Sequence, residues 1–329
     1  MYEAERQLAV RAVLDACRLC RTVQANLVTA DSLAKKDRSP VTVADFGAQA
    51  VVAAQLMEAF PDDPLIGEES ADALRADDGA ELRAKVVQNV QAVSPRLDES
   101  QILTAIDYGN YPGGGEGRHW TLDPIDGTKG FLRGEQYAVA FALIVDGRVR
   151  LGVLGCPNYP LSPGKPDGEI GCLFVAVEGQ GAFVRSLDNP TETPINVTSI
   201  TDTSQASFCE SVESGHSAHD KAARVADILG VSVPPYRIDS QCKYAAVARG
   251  DASIYLRLPV KAGYEECVWD HAAGAIVVTE AGGSVTDVTG APLDFSQGRR
   301  LSKNPGVVAT NGHIHDRVID AVRQVVPVG

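Results

Sequence analysis

The sequence is poor in aromatic residues and has no long apolar run. Of its 329 residues 6% are aromatic, and methionine and tryptophan occur twice each. No stretch approaches the roughly 20 apolar residues that a membrane-spanning helix requires. The first residues form a charged amphipathic stretch instead of the apolar core of a signal peptide. We therefore expect a cytoplasmic protein that is not exported and does not bind membranes.

Positive charge is also scarce. The chain has 30 Lys and Arg against 43 Asp and Glu, which gives a formal net charge of −13. Binding to nucleic acid depends on clustered cations, so this composition argues against a nucleic-acid partner. A small anionic ligand remains compatible with it, because a few local cations or a metal ion reverse the field within a site.

Cysteine is present but does not form a recognisable framework. The seven cysteines are scattered, and their odd number does not fit a disulfide scaffold. Cys17 and Cys20 have the spacing of a zinc or redox motif, yet no second Cys or His pair follows to complete a zinc site. Because the residues around them have helical apolar spacing, we interpret both as core residues of a helix in a reduced protein. A zinc or redox role is the alternative.

The pattern of predicted elements changes along the chain. Residues 3–28 and 45–59 have helical spacing, with a loop before the second helix. Continuous apolar runs at 137–156 and 172–184, each interrupted by a hairpin signal, predict antiparallel strands. The first half is therefore expected to consist of helices packed on a largely antiparallel sheet.

The second half has a different character. Residues 187–194 are rich in Pro, Asn and Thr and form the best candidate boundary. Beyond it strands and helices alternate, which favours an α/β arrangement. We expect an α+β domain over residues 1–190 that carries most metal ligands, and an α/β domain over residues 191–329. The length of the chain is compatible with one or two domains.

The chain is organised around residues 120–131. Asp123 and Asp126 follow an apolar approach with a proline between them, and two such carboxylates repel each other unless a cation lies between them. The proline holds the preceding residue extended, and hard oxygen ligands suit Mg²⁺. Gly127 and Thr128 would then present N–H groups of a helix start to a phosphate. The alternative is an ordinary surface turn.

Acidic residues recur at two other predicted element ends. Glu68 and Glu69 follow the short apolar run 65–67, and Asp270 stands at the start of a predicted helix. Taken alone, these acids are an exposed pair and a helix N-cap. Together with the two central aspartates they would supply the carboxylates of a phosphatase site with two or three Mg²⁺ ions.

Three motifs make the sequence recognisable. Residues 67–69, 123–128 and 269–274 resemble the three signatures of the lithium-sensitive, Mg²⁺-dependent phosphatase superfamily. That superfamily includes inositol monophosphatase, fructose-1,6-bisphosphatase and 3′(2′),5′-bisphosphate nucleotidase. The resemblance covers nearly the whole chain and implies an α/β (α+β) fold, a layered αβαβα sandwich. Further segments resemble the bisphosphate nucleotidase branch, namely residues 39–45, 117–120, 128–134, 136–140, 213–217, 239–244 and 255–259.

The resemblance implies roles for individual residues. Asp45 and Thr128 are expected to activate the attacking water. Metal ligation is expected at Glu68, Asp123, Asp126, Asp270 and the backbone carbonyl of Ile125. Substrate contacts are expected at Gly127, His216, Ser240, Lys243 and Arg257. From the residues alone, Asp45 would be a helix N-cap, and Lys243 and Arg257 would be solvated surface charges.

The resemblance also implies an activity. It predicts Mg²⁺-dependent, lithium-inhibited hydrolysis of the 3′-phosphate of adenosine 3′,5′-bisphosphate, with 3′-phosphoadenosine 5′-phosphosulfate as a second substrate. Such a nucleotide needs one phosphate held at the metals and the other held by cations away from them. The alternatives are a phosphatase for inositol phosphates or sugar bisphosphates and a sensor of adenosine bisphosphate without turnover. A monomer and a homodimer are both compatible with the sequence.

Overall fold

The computed structural model describes residues 1–29, 39–162, 164–165, 168–212, 219–259 and 263–326. Within these ranges the helices are α1 Glu3–Thr29, α2 Ser39–Ala59, α3 Asp72–Arg75, α4 Ala80–Val93, α5 Glu99–Asp107, α6 Thr128–Arg133, α7 His219–Leu229, α8 Cys242–Arg249, α9 Ala272–Glu280 and α10 His315–Val325. Short 3₁₀ turns cover Asp77–Gly79, Thr203–Gln205 and Val268–Asp270.

The strands form two sheets. The first contains seven strands in sequence order, β1 Leu65–Gly67, β2 Arg118–Asp126, β3 Ala138–Val145, β4 Arg148–Pro160, β5 Ile170–Val177, β6 Gly181–Ser186 and β7 Thr193–Ile195. Only the β1–β2 pair in this sheet is parallel. The second sheet has the order β11-β12-β10-β8-β9, made of β8 Phe208–Glu210, β9 Tyr236–Arg237, β10 Ile254–Arg257, β11 Ser284–Thr286 and β12 Val307–Thr310.

Five layers result from the way each sheet buries its two faces. Helices α1 and α2 share one apolar core with one face of the first sheet. Helices α8 and α9 share a second core with the opposite face and with the second sheet. Helices α7 and α10 cover the outer face of the second sheet. The expected αβαβα sandwich is therefore confirmed.

Strand β3 shows how alternation produces these layers. Successive side chains of a strand point to opposite faces. Val139, Phe141 and Leu143 lie in the core under α1 and α2, whereas the intervening Ala138, Ala140 and Ala142 face α8 and α9. The small side chains let the central helices pack close to the sheet. The approach is close enough that a Cβ on residue 152 of β4 would lie 2.5 Å from Ile276 Cγ2, which requires Gly152.

Several element boundaries differ from those expected. Helix α2 begins at Ser39 and not at residue 45, because a proline is tolerated in the first turn of a helix. Residues 72–93 contain α3, a 3₁₀ turn and α4. Helix α5 was not predicted, and neither were the elements after Glu280, which are β11, β12 and α10. Helix α10 was missed although it has a regular apolar stripe at Val318, Ile319, Val322 and Val325.

The predicted domain boundary does not coincide with the edge of the first sheet. Strand β7 follows residue 190 and pairs with β6 through Ala182 and Ile195. The first sheet therefore continues a few residues into the expected second domain. The division at residues 190 and 191 stays a prediction.

The cysteines behave as the sequence predicts. All seven are free and buried, and Cys17 and Cys20 belong to the core between α1 and the first sheet. Burial raises the pKa of the Cys17 thiol to about 12, which leaves it protonated and unreactive near neutral pH. Within the described ranges, no helix has the length and apolar character needed to span a membrane.

Asp63 lies just before β1 and connects this strand to β2. Its buried carboxylate accepts hydrogen bonds from Trp120 Nε1 at 3.0 Å and from Arg118 Nε at 2.9 Å, both on β2. Trp120 in turn stacks on Phe141 with 4.6 Å between ring centroids. These contacts set β1 beside β2, where Leu65 pairs with Trp120.

We expect Asp63→Asn to lower the free energy of unfolding by about 2 kcal/mol, because the charge-assisted hydrogen bonds to buried Trp120 and half-buried Arg118 are weakened. Urea denaturation followed by circular dichroism measures the effect. Asp62→Asn is the matched control, since Asp62 is exposed. Equal stability of the two variants would show that Asp63 does not anchor the strand.

Candidate active site

The two central aspartates lie on a β-bulge. Asp123 pairs with Ala140 and Asp126 with Ala138, so two residues of β2 face one of β3. An extra residue of this kind bends a strand and redirects its side chains, and bulges are frequent beside active sites. Asp123 is 3% exposed and Ile125 2%. The surface-turn alternative is therefore wrong, because this segment is a buried strand end.

A cavity of about 470 Å³ opens at this bulge. It is bounded by the ends of β1 and β2, the start of α6, the α8 N-terminus, the end of β10 and the turn before α9. Ten of the predicted site residues line it: Glu68, Asp123, Ile125, Asp126, Gly127, Thr128, Ser240, Lys243, Arg257 and Asp270. The fold thus brings together residues that lie far apart in the sequence.

One predicted residue that the structure describes, Asp45, does not line this cavity. Asp45 lies inside α2 and is 8% exposed, so it is not the N-cap of that helix. Burial raises its pKa well above the usual range, and the nearby charges of Glu69 and Glu68 raise it further. Asp45 therefore lies within electrostatic reach of the acids at the end of β1. The predicted contact His216 falls outside the described residues.

The acids of the cavity oppose one another's ionisation. Burial raises the pKa of Glu68 to about 7, and the neighbouring Glu69 adds to the shift. The pKa of Asp270 is also raised to about 7, by burial and by Asp126, although His271 acts in the opposite direction. Burial and the charges of Glu68 and Asp126 raise the pKa of Asp123 well above its usual range. A bound cation would remove this repulsion.

The donor set fits Mg²⁺. It offers carboxylate oxygens from three separate elements and lies in an open cavity with room for water or phosphate oxygens. Mg²⁺ takes a few such oxygens and keeps its other positions for water and substrate. Asp123 also accepts a hydrogen bond from the N–H of Ile125 at 3.1 Å, which fixes the carboxylate within the bulge.

Two cations also line the cavity. Lys243 is 5% exposed, and its Nζ lies 5.3 Å from the centre of the Tyr255 ring. Burial lowers its pKa while the charge of Asp126 opposes that shift. Arg257 is half-buried and its Nε donates to Glu266 at 3.1 Å. Neither cation is a solvated surface charge, so that alternative is wrong.

Ser240 and Gly127 approach each other closely in the lining of the cavity. Ser240 has a φ of 66°, an uncommon backbone conformation for a residue with a side chain. Gly127 has a φ of 95°, and a Cβ there would lie 2.8 Å from the Ser240 Cβ. Strained backbone of this kind is concentrated at functional sites. The close approach explains why a glycine follows Asp126.

Gln241 was not among the predicted site residues. Its backbone N–H donates to Asp126 Oδ2 at 2.5 Å. Its side-chain amide donates to the Trp269 carbonyl at 2.9 Å and accepts from the Gly274 N–H at 3.1 Å. Gln241 therefore links the bulge to the turn that carries Asp270. Its position within the recognised segment 239–244 was the only signal in the sequence.

Arg299 was also missed. Its Nη2 donates to the Gly67 carbonyl at 2.5 Å, and its Nη1 donates to the carbonyls of Gly109 and Tyr111. The guanidinium carbon lies 4.8 Å from the centre of the Trp269 ring. One side chain thus holds the residue before Glu68 against the residue before Asp270.

Comparison with known proteins gives consistent results. The sequence matches the profile described as the inositol monophosphatase family over residues 1–326. It is 46% identical over 341 residues to a 3′(2′),5′-bisphosphate nucleotidase of Oryza sativa, covering 99% of this chain and 95% of that protein. A 3′(2′),5′-bisphosphate nucleotidase of Schizosaccharomyces pombe is 44% identical over 341 residues, covering 98% of this chain and 96% of that protein.

Solved structures share the fold. An inositol monophosphatase from Anabaena (Nostoc) superimposes with a TM-score of 0.61 at 22% identity, covering 98% of this chain and 96% of the other. An inositol monophosphatase from Zymomonas mobilis gives a TM-score of 0.64 at 21% identity, covering 98% and 99%. At this level of identity the similarity concerns the architecture alone.

The raised pKa values of the cavity acids predict that, without bound metal, the stability of the protein falls as the pH rises. For Asp270 the folded pKa lies above the ordinary 3.8, so stability is greatest below that value and is lost as the pH rises towards about 7. In EDTA we expect the melting temperature of Asp270→Asn, relative to wild type, to rise by about 2 to 4 °C between pH 5 and 8. Differential scanning fluorimetry measures it.

The lowered pKa values of the buried His119 and His315 make stability rise with pH, opposite to the effect of Asp270. Both histidines are present in wild type and variant, so their contribution cancels in the difference between the two melting temperatures. Asp227→Asn on the exposed side of α7 is the control and should show no such trend. Saturating Mg²⁺ should stabilise wild type more than Asp270→Asn. A pH-independent difference between the two would contradict the electrostatic account.

Proposed function

The chain belongs to the inositol monophosphatase family, and from that premise we propose that it hydrolyses the 3′-phosphate of adenosine 3′,5′-bisphosphate to AMP and phosphate. Mg²⁺ dependence and lithium sensitivity are typical of this family. The relatives that are 44% and 46% identical over nearly their full length are named for 3′(2′),5′-bisphosphate nucleotidase activity. A second candidate substrate is 3′-phosphoadenosine 5′-phosphosulfate.

The presence of acidic and cationic side chains in one cavity is the observation that carries this proposal. The carboxylates that would bind cations line it together with Lys243 and Arg257. A substrate with a single phosphate needs only the carboxylates and their cations. A nucleotide with two phosphates also uses Lys243 and Arg257, because its second phosphate requires cationic groups of its own. Ser240, which lines the same cavity, would contact the nucleotide.

We propose as metal ligands the residues that offer oxygen atoms to the cavity. Glu68, Asp123, Asp126, Asp270 and the Ile125 carbonyl would hold two or three Mg²⁺ ions. When bound, Mg²⁺ would neutralise charge on the phosphoryl group and promote ionisation of a water molecule. The remaining chemistry belongs to the side chains.

Thr128 and Asp45 are the proposed water-activating pair. The Thr128 hydroxyl would orient the attacking water, and the Asp45 carboxylate would accept a hydrogen bond from that hydroxyl and so fix its direction. The water oxygen would give up one proton and form a bond to phosphorus while the bond from phosphorus to the 3′-oxygen breaks. The 3′-oxygen would take up one proton in exchange for the one that the water loses, and leave as the hydroxyl of AMP. Gly127 would offer its backbone N–H to the phosphate.

Lys243, Arg257 and His216 are the proposed contacts of the second phosphate. Contacts with Tyr255 and Glu266 hold Lys243 and Arg257 at the cavity wall, which lowers the entropic cost of binding a ligand. We further infer a cytoplasmic protein, in agreement with its seven free cysteines. We infer that it acts as a monomer or a homodimer.

An inositol phosphate phosphatase is the second candidate, favoured by the fold shared with inositol monophosphatases. The deciding experiment measures phosphate release from adenosine 3′,5′-bisphosphate, AMP, inositol 1-phosphate and fructose 1,6-bisphosphate. We expect rapid Mg²⁺-dependent release from the nucleotide bisphosphate and inhibition by Li⁺. Preference for inositol or sugar phosphates would overturn the substrate assignment. Binding of the nucleotide without release from any substrate would favour a sensor.

Asp126→Asn tests the metal site. We expect turnover to fall by about a hundredfold or more, because a charged ligand of the cation that would neutralise developing phosphoryl charge is lost. The fold should survive, since the asparagine carbonyl can still accept from the Gln241 N–H. Steady-state phosphate release and the melting temperature report the two effects, with Asp227→Asn as control. Full activity of Asp126→Asn would contradict the assignment.

A further inference from the structure

Glu266 is a buried carboxylate to which no role has been given above. It is 4% exposed and lies between the end of β10 and the turn that carries Asp270. Its Oε1 accepts from Arg257 Nε at 3.1 Å, and its Oε2 lies 3.4 Å from His271 Nε2. The Leu301 N–H donates to the Glu266 carbonyl at 2.9 Å, so the backbone behind this carboxylate is also fixed.

The hydrogen bonds continue into the core. Tyr244 Oη lies 2.7 Å from His271 Nδ1. If the tyrosine hydroxyl donates to Nδ1, Nε2 carries the proton that faces Glu266, and every polar group in the series has a partner. A satisfied buried network of this kind rigidifies its members. Glu266 is therefore held from both sides, by Arg257 and by His271.

This arrangement distinguishes Glu266 from a metal ligand. Ligand atoms of Glu266, Asp270 and His271 lie within 4.8 Å of one another, a spacing that would suit a cation. However, both oxygens of Glu266 already face nitrogen donors. Burial opposes the charge of Glu266, but His271 and Arg257 outweigh it and lower its pKa to about 2. The carboxylate is thus already compensated by its neighbours.

The hydrogen bond between Glu266 and Arg257 uses only the Nε of the guanidinium and leaves its two terminal nitrogens for a ligand. Glu266 takes the Nε–H, and within the residues that the structure describes, Nη1 and Nη2 make no hydrogen bond to protein. Arg257 lines the cavity, so its terminal nitrogens remain for a ligand. An arginine held at Nε has lost most of its rotamer freedom and presents a planar pair of donors that matches a phosphate.

We propose that Glu266 is a positioning residue that fixes the Arg257 guanidinium for the second phosphate, and thereby sets the preference for nucleotide bisphosphates over monophosphates. This rests on the proposed function. Glu266 touches neither substrate nor metal in this assignment and acts through Arg257 alone. Its loss should consequently affect only substrates that carry the second phosphate.

The test compares adenosine 3′,5′-bisphosphate with adenosine 3′-monophosphate, which lacks the second phosphate. For Glu266→Gln we expect KM for the bisphosphate to rise about tenfold to hundredfold with kcat nearly unchanged, because the guanidinium loses a charged partner. Both constants for the monophosphate should change by less than about threefold. Calorimetric titration with AMP, which keeps the second phosphate, should show a similar loss of affinity without turnover.

Two further variants sharpen the result. Glu265→Gln changes the exposed neighbour of Glu266 and should behave as wild type. In an Arg257→Met background, Glu266→Gln should add little to the loss for the bisphosphate, because the two residues act as one unit. Additive losses would show that Glu266 acts by another route and would overturn the inference.

The outcomes separate the inference from the function on which it rests. If wild type cleaves both nucleotides with equal kcat/KM, the second-phosphate site itself is absent and the proposed function fails. If wild type prefers the bisphosphate but Glu266→Gln impairs both substrates equally, only the inference fails. That result would indicate a disturbance of the Asp270 turn through His271.

Discussion

Mutual repulsion among the carboxylates of the cavity is the constraint on which the rest of this structure depends. Glu68, Asp123, Asp126 and Asp270 line one cavity, and each has a pKa raised first by burial. For Glu68, Asp123 and Asp270 the charges of neighbouring carboxylates add to that shift. A chain that brings these groups together must hold them by interactions elsewhere. The backbone that carries these carboxylates therefore has to be held rigidly, because the carboxylates themselves repel one another.

That rigidity comes from neutral hydrogen bonds placed directly behind the acids. Gln49 of α2 is fully buried, accepts from the Glu69 N–H at 3.0 Å and donates to the Glu69 carbonyl at 2.7 Å. Gln241 holds Asp126 through its backbone and the Asp270 turn through its side chain. Because these amides carry no net charge, they fix the backbone without weakening the field that attracts a cation.

Residue types alone were enough to place a candidate site. Asp123 and Asp126, separated by a proline at a strand end, indicated a cation site without any structure, and metal binding there stays a prediction. The sequence was not sufficient to predict the bulge between the two aspartates, because strand register depends on a partner segment. It likewise could not show that Lys243 is buried against Tyr255, or that Arg299 reaches the Gly67 carbonyl from 232 residues away. Such contacts exist only once the tertiary fold has formed.

The acidic and cationic side chains of the cavity are not electrostatically independent. Burial raises the pKa of Asp126, but Lys243 and Arg257 are the charges that most oppose that shift. The same two cations that would hold a second phosphate therefore favour the ionised form of Asp126, a proposed metal ligand. When a phosphate binds Lys243 and Arg257, part of that positive field is neutralised, and Asp126 then depends more strongly on a bound metal cation. Substrate and metal should accordingly favour each other's binding through Asp126, since each compensates for charge that the other leaves exposed.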